Sequence, residues 1–130
     1  MSENIPPSLE RLMLRSIAMP ADTNPSGNIF GGWLLSQMDL AGANAGTRRC
    51  GGPVVTVAID SIAFHEPVNV GDEVSSYAEV IHVGKTSMKV QVDVWTRSNR
   101  VGPPRRVAEG QFIFVAIDDN KRPRPVDSTS

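Results

Sequence analysis

Aromatic residues are scarce in this sequence: four Phe, two Trp and one Tyr among 130 residues. Val, Ile, Leu, Met and Ala must therefore fill any core, and a hydrophobic share of 40% is enough for one. Charge of one sign is also missing. Thirteen Lys and Arg stand against fourteen Asp and Glu, a formal net charge of -1. That balance argues against electrostatic binding to nucleic acid or an anionic membrane as the main activity. The single cysteine, Cys50, cannot form an internal disulfide. It has no evident activator, so a small buried or half-buried thiol is the plain reading. No apolar run approaches a membrane span. The start, Met-Ser-Glu-Asn, lacks the basic-then-apolar order of a secretion signal, so a cytoplasmic protein is expected. No His, Cys or Asp cluster has metal-ligand spacing, and no metal or cofactor is expected.

What is present reads as one domain. Residues 1–10, with Pro6 and Pro7, read as a loose arm; 11–120 as the domain; 121–130, with Lys121, Arg122, Pro123, Arg124 and Pro125, as a basic tail. Arg11 to Met19 reads as a strand with an impure pattern, with a short helix possible at its start. A helix follows from about Gly31 to about Thr47. After Gly51, Gly52 and Pro53 the period changes to two. Val55, Val57 and Ile59 are expected on one face, with Thr56, Ala58 and Asp60 on the other. That strand extends to Phe64, and His65 to Asp72 reads as a turn. Val74 to Val83 and Thr86 to Trp95 are strands joined by a hairpin at Gly84 and Lys85. Met88, Val90, Val92 and Val94 share one face of the second; Lys89, Gln91 and Asp93 share a wet or interfacial face. Ser98 to Arg106 is a loop, and Val107 to Ile117 the last strand. The class is α+β: an antiparallel sheet covering one long helix.

The stretch from Met19 to Asp39 is the one the rest is organised around. Asp22, Asn24, Pro25, Ser26, Gly27 and Asn28 crowd together, and each favours turns for its own reason. Helical spacing then begins, with Leu34, Met38, Ala41 and Ala45 on one stripe. Gly31 and Gly32 stand where the loop becomes the helix. The first N–H groups of a helix lack intrahelical partners and carry the positive end of its dipole. Glycine keeps side chains out of the way, so these N–H groups can meet an oxygen atom. Asp39 interrupts the apolar run and is the only acid in the helical segment. By periodicity alone it reads equally as a bland residue, exposed or paired with a nearby Arg, and as a reacting carboxylate. Gly42 and Gly46 weaken the helix by about 1 kcal/mol each against alanine. The small residues from Ala41 to Gly46 would let another backbone come close.

Leu14-Arg15-Ser16-Ile17-Ala18-Met19-Pro20, Asp22-Thr23-Asn24, Gly27, Ile29-Phe30-Gly31-Gly32-Trp33 and Met38-Asp39 together resemble the signature of YciA-type acyl-CoA thioesterases, in the hotdog superfamily. Val54-Val55-Thr56-Val57, Phe64 with Pro67, Val70-Gly71-Asp72 and Val92-Asp93-Val94-Trp95 agree with it. The likeness covers roughly residues 11–120. Some relatives carry histidine where this chain has Phe30; phenylalanine is usual in the YciA branch. The resemblance implies a sheet of about five strands wrapped around the helix. It implies dimers joined edge to edge, hexamers built from three dimers, and hydrolysis of acyl-CoA to free acid and CoA. It makes Asp39 the catalytic carboxylate, as nucleophile or general base. Gly31 and Gly32 become the oxyanion donors, and Asn24 a group that positions the carbonyl or the water. Thr56 is placed near the site. Lys85-Thr86-Ser87, at a hairpin tip, is the best candidate to meet the CoA phosphates; Arg48, Arg49, Lys121, Arg122 and Arg124 are weaker ones.

Helix geometry adds one expectation. Gly32 and Asp39 are seven positions apart, roughly 10 Å along one helix. A carboxylate and the oxyanion donors must both come within about 3 Å of the same reacting group. One helix cannot meet both demands, so two antiparallel helices across a dimer are expected to share each site. Two rival functions stay open: a hydratase or dehydratase on acyl thioesters, and an acyl-CoA-binding module without turnover. His65-Glu66 looks like an acid–base pair, but neighbours on a strand point to opposite faces. His82 reads as structural or exposed.

Overall fold

The computed structural model describes residues 5–127. Residues 1–4 of the expected arm and 128–130 of the expected tail lie outside that range. Five strands form one antiparallel sheet: β1 (Leu12–Ile17), β2 (Val54–Phe64), β3 (Glu73–Val83), β4 (Ser87–Arg97) and β5 (Arg105–Ala116). Their order is β1-β3-β4-β5-β2. The helix α1 (Gly31–Cys50) connects the two edge strands, so it must cross beneath the whole sheet. A 3-10 turn at Leu9–Arg11 precedes β1.

The expected helical stripe is the one that packs. Leu34, Met38, Ala41 and Ala45 are buried, joined by Gly42 and Gly46. Met88, Val90, Val92 and Val94 of β4 meet them from the sheet and are wholly buried. The small residues receive the sheet's own side chains, not another backbone. A Cβ at Gly42 would lie 2.9 Å from the ring of Phe114. Glycine's helix penalty is offset here by room for one of the few aromatic rings. The helix also runs one turn further than expected, to Cys50, where Gly51 (φ 77°, ψ 21°) stops it in the left-handed conformation that glycine favours.

The strict alternation expected in β2 does not hold. Register shifts fall between Thr56 and Ala58 and between Ile59 and Ser61, which leaves Val57 and Asp60 as extra residues. Each extra residue reverses the facing of the residues after it. Thr56 is opposite Phe114 and Ile59 opposite Phe112, both buried side chains of the core face. Val54, Thr56, Ile59, Ile62 and Phe64 therefore look inward, and Val55, Ala58 and Ser61 outward. A similar shift at Met13 explains the impure pattern of β1.

Packing continues past residue 120. Ile117 bridges to Pro123, Arg124 N–H donates to the Ala116 carbonyl, and Val126 N–H donates to that of Lys85. Val126 joins the core at 3% exposure. On the outer sheet face, Gln111 donates to Gln91, and Lys89 pairs with Asp60 at 2.7 Å. Burial holds the Asp93 carboxyl above the usual carboxylate range, opposed by its hydrogen bond with Gln91.

Candidate active site

Asp39 lies in the middle of α1, half-buried, on the side of the helix that faces β2. Thr56 Oγ1 donates to Asp39 Oδ1 at 2.6 Å. Asp39 Oδ2 has no hydrogen-bond partner among the described residues. Thr56 can reach the helix because the first bulge keeps it on the core face while Ile59, three residues on, returns to that face. Gly32, Leu35, Ser36, Asp39, Thr56, Ile59 and Phe112 line a hollow of about 280 Å³. Gly32, Ser36 and Asp39 follow one another along the helix, so the hollow runs from its first turn to the carboxylate.

The start of α1 is uncapped. Phe30, at the N-cap, supplies no side-chain hydrogen bond, and no acidic residue occupies the first turn. The N–H groups of Trp33 and Leu34 donate to the Phe30 carbonyl. Those of Gly31 and Gly32 have no acceptor among the described residues. Two rings stand beside them. A Cβ at Gly32 would lie 3.1 Å from the ring of Phe30, and one at Gly31 would lie 3.7 Å from the ring of Phe64. Gly31 also lines a second hollow, of about 310 Å³, with Ile29, Leu34, Phe64, His65, Glu66, Pro67 and Val68.

Asn24 sits in a tight loop clasped by the Thr23–Ile29 bridge. Its Oδ1 accepts from the backbone N–H of Ser26 (2.9 Å) and of Asn28 (3.2 Å). Two donors pointing at one atom assign that atom as oxygen, so the free end of the amide is the NH2 group. Asn24 can therefore donate and has little left to accept with.

Lys85, Thr86 and Ser87 are elsewhere. The next residue, Met88, touches Gly46 near the far end of α1, roughly 20 Å of helix from Gly31. Among the other basic candidates, Arg124 is committed to the carbonyls of Cys50 (2.8 Å), Pro125 (3.0 Å) and Ile117 (3.3 Å). Arg49 is paired with Asp127 at 2.7 Å. His65 does not pair with Glu66. Its Nε2 meets Glu109 at 2.7 Å, and Glu66 meets Arg105 at 3.2 Å. Asp39, Thr56 and Gly32 are thus brought to one hollow, Gly31 to its neighbour, and the Lys85 hairpin to neither. Spacing does not mark Phe64 as a wall of this second hollow, because a strand-end phenylalanine reads as ordinary core.

The chemistry on offer is a held carboxylate with one free oxygen, and free backbone donors at a helix start. That is the equipment of an acyl-transfer site. Comparison with known proteins gives the same class. The thioesterase superfamily matches residues 26–103. The acyl-CoA thioester hydrolase YciA of Salmonella typhimurium is 45% identical over 118 residues, 88% of this chain and 89% of that protein. The hexameric thioesterase of Yersinia pestis superposes with a TM-score of 0.85 at 46% identity, covering 91% of this chain and 96% of that one. A hexameric hotdog-fold thioesterase of Campylobacter jejuni does so at 0.85 and 40%, covering 90% of each. The chain belongs to the thioesterase superfamily, with the hotdog fold, among the YciA-type acyl-CoA thioester hydrolases. No helix among the described residues is long and apolar enough to cross a membrane.

Proposed function

We propose that this protein hydrolyses acyl-CoA thioesters to the free carboxylic acid and CoA in the cytoplasm, with water as the only co-reactant and no cofactor. The observation that carries this is the Thr56–Asp39 hydrogen bond beside an uncapped diglycine helix start. Asp39 attacks the thioester carbonyl or takes a proton from the attacking water, through the oxygen that Thr56 leaves free. Gly31 and Gly32 donate to the oxyanion. Asn24, with its oxygen committed to its own loop, donates its NH2 to the carbonyl or the water.

Each site is shared between two copies. Gly32 and Asp39 line one hollow, but at opposite ends of it, roughly 10 Å apart along the helix. β2 supplies the means of joining. It is a sheet edge with Val55, Val57 and Ile59 at 41%, 54% and 45% exposure. A long apolar edge is a liability unless it is paired. Antiparallel pairing of β2 with its copy sets the Thr56 end of one strand beside the Phe64 end of the other. The Phe64 ring lies beside Gly31. Asp39 of one copy thereby faces the diglycine of the other, twice per dimer. The same two-fold brings the Lys85-Thr86-Ser87 hairpin toward the partner's helix start, where it meets the CoA phosphates. Three such dimers form a hexamer, the state of the Yersinia and Campylobacter relatives.

Thiol release from a panel of acyl-CoAs tests the activity. Asp39→Ala and Asp39→Asn should remain folded and lose turnover by orders of magnitude; near-normal activity of either ends the assignment. Mixing Asn24→Ala with Asp39→Ala chains under demonstrated subunit exchange should restore activity, since each mixed dimer keeps one intact site. Exchange without recovery would refute the shared site or the placing of Asn24 on the glycine side. One observation favours a second reading. His65 paired with Glu109 at the rim of the Gly31 hollow is a His–acid couple of the kind a hydratase or dehydratase uses. Enoyl-CoA consumed without thiol release, and stopped by His65→Ala, would support it over hydrolysis.

A further inference from the structure

We propose that Phe64 sets the acyl-chain preference of the site; the proposal rests on the thioesterase reading and deepens it. A thioester whose carbonyl oxygen sits on the Gly31 and Gly32 N–H groups extends two arms from that point, the acyl chain and the sulfur with its amide-bearing tether. The hollow beside Gly31 suits only the first. Its walls are hydrocarbon: Ile29, Leu34, Phe64, Pro67 and Val68. Its two polar side chains are turned to partners on β5, His65 to Glu109 and Glu66 to Arg105. An amide in that hollow would lose its water without gaining a committed partner, which is costly. An alkyl chain loses nothing polar and gains burial.

Within this hollow Phe64 has a special position. It is the last residue of β2 and faces inward after the second bulge, yet it is 50% exposed. Its ring stands 3.7 Å from where a Gly31 Cβ would be, beside the first oxyanion donor. Carbons next to the reacting carbonyl must pass that ring. The size of the side chain at position 64 therefore decides how much acyl group fits while the carbonyl stays on its donors. Ile29 and Leu34 are buried at 6% and 4% exposure and are fixed by the core. Phe64 is free to differ without disturbing it.

The experiment is kcat/KM for straight-chain acyl-CoAs from acetyl to palmitoyl, with wild type, Phe64→Ala, Phe64→Leu and Phe64→Trp, each checked for wild-type assembly by light scattering. Single methylenes in apolar pockets discriminate by roughly tenfold or more. Phe64→Ala should raise the long-to-short ratio at least about tenfold, Phe64→Trp should lower it by a similar factor, and Phe64→Leu should fall between wild type and Ala. Should Phe64→Ala not fold, the Leu and Trp variants still bracket wild type from both sides. Profiles parallel to wild type, including a uniform loss at every length, overturn the assignment. A wild type that releases thiol from no acyl-CoA overturns the thioesterase reading itself, and this inference with it.

Discussion

At its C-terminal end α1 is capped by the chain itself. Gly51 turns the chain into the left-handed region and donates its N–H to the Thr47 carbonyl at 2.8 Å. The guanidinium of Arg124, brought by the returning tail, donates to the Cys50 carbonyl. Arg48 and Arg49 place positive charge where the dipole is negative. At its N-terminal end the same helix has no side-chain cap, no acid in its first turn, and two exposed glycines whose N–H groups meet nothing among the described residues. A capping Ser, Thr, Asp or Asn would stabilise that end by about 1 kcal/mol. Its side-chain oxygen would also compete for the N–H groups of the first turn, that of Gly32 among them. The contrast separates two tasks. One end holds the fold together, and the other leaves its donors open, as the oxyanion role proposed for Gly31 and Gly32 requires.

The largest effect should come from removing a donor without harming the helix. Gly31 is the first helical residue, where proline is favoured because the missing N–H has no intrahelical partner. Phe30, at ψ 151°, already has the extended backbone required before proline. Gly31→Pro should keep or raise Tm, yet lower kcat by roughly 10²–10³, the cost of one lost oxyanion donor. Gly31→Ala keeps the N–H, and its Cβ meets the Phe64 ring at ordinary contact distance, so it should be far more active than the proline variant. Equal activity of the two in thiol release would show that the N–H of Gly31 is not used.

The closed end should give the opposite signature, lost stability with kept activity. Arg124→Ala removes three charge-assisted donations to carbonyls and should cost about 1–3 kcal/mol, several degrees in Tm by calorimetry. Gly51→Ala meets no side chain but carries the left-handed strain of about 1–2 kcal/mol. In both, kcat per folded site should match wild type. A large fall in kcat at unchanged Tm would erase the division between the two ends.

The smallest effect concerns Arg49 and Asp127. The hydrogen bond and charge of Arg49 hold the Asp127 carboxyl below its ordinary value of 3.8. A lowered folded-state value means that the unfolded chain binds more protons across that interval, so stability rises with pH there. The contribution is complete above pH 3.8 and is lost as pH falls through the folded-state value. Asp127→Asn should lower Tm slightly at neutral pH, and the gap from wild type should close under more acid conditions. Both groups are exposed, and added salt should shrink the gap further.

Where the pattern is local, the sequence is enough. The apolar stripe of α1 and the buried face of β4 come from spacing alone, because a helix and a strand each have one period and a core selects one face. The open helix start is equally legible: Gly31-Gly32 lies between a turn-rich loop and an apolar stripe, with no capping residue at Phe30. The tertiary structure decided the rest. No local signal marks Val57 and Asp60 as extra residues, because a bulge is set by the register against β5, whose partners are distant in the chain. The bulge at Val57 puts Thr56 and Ile59 on one face, the face from which Thr56 reaches Asp39. Arg124 closes the helix across a separation of 74 residues, and Glu109 takes His65 from its sequence neighbour. Such pairings depend on which backbone strands lie side by side, which spacing along one segment cannot specify.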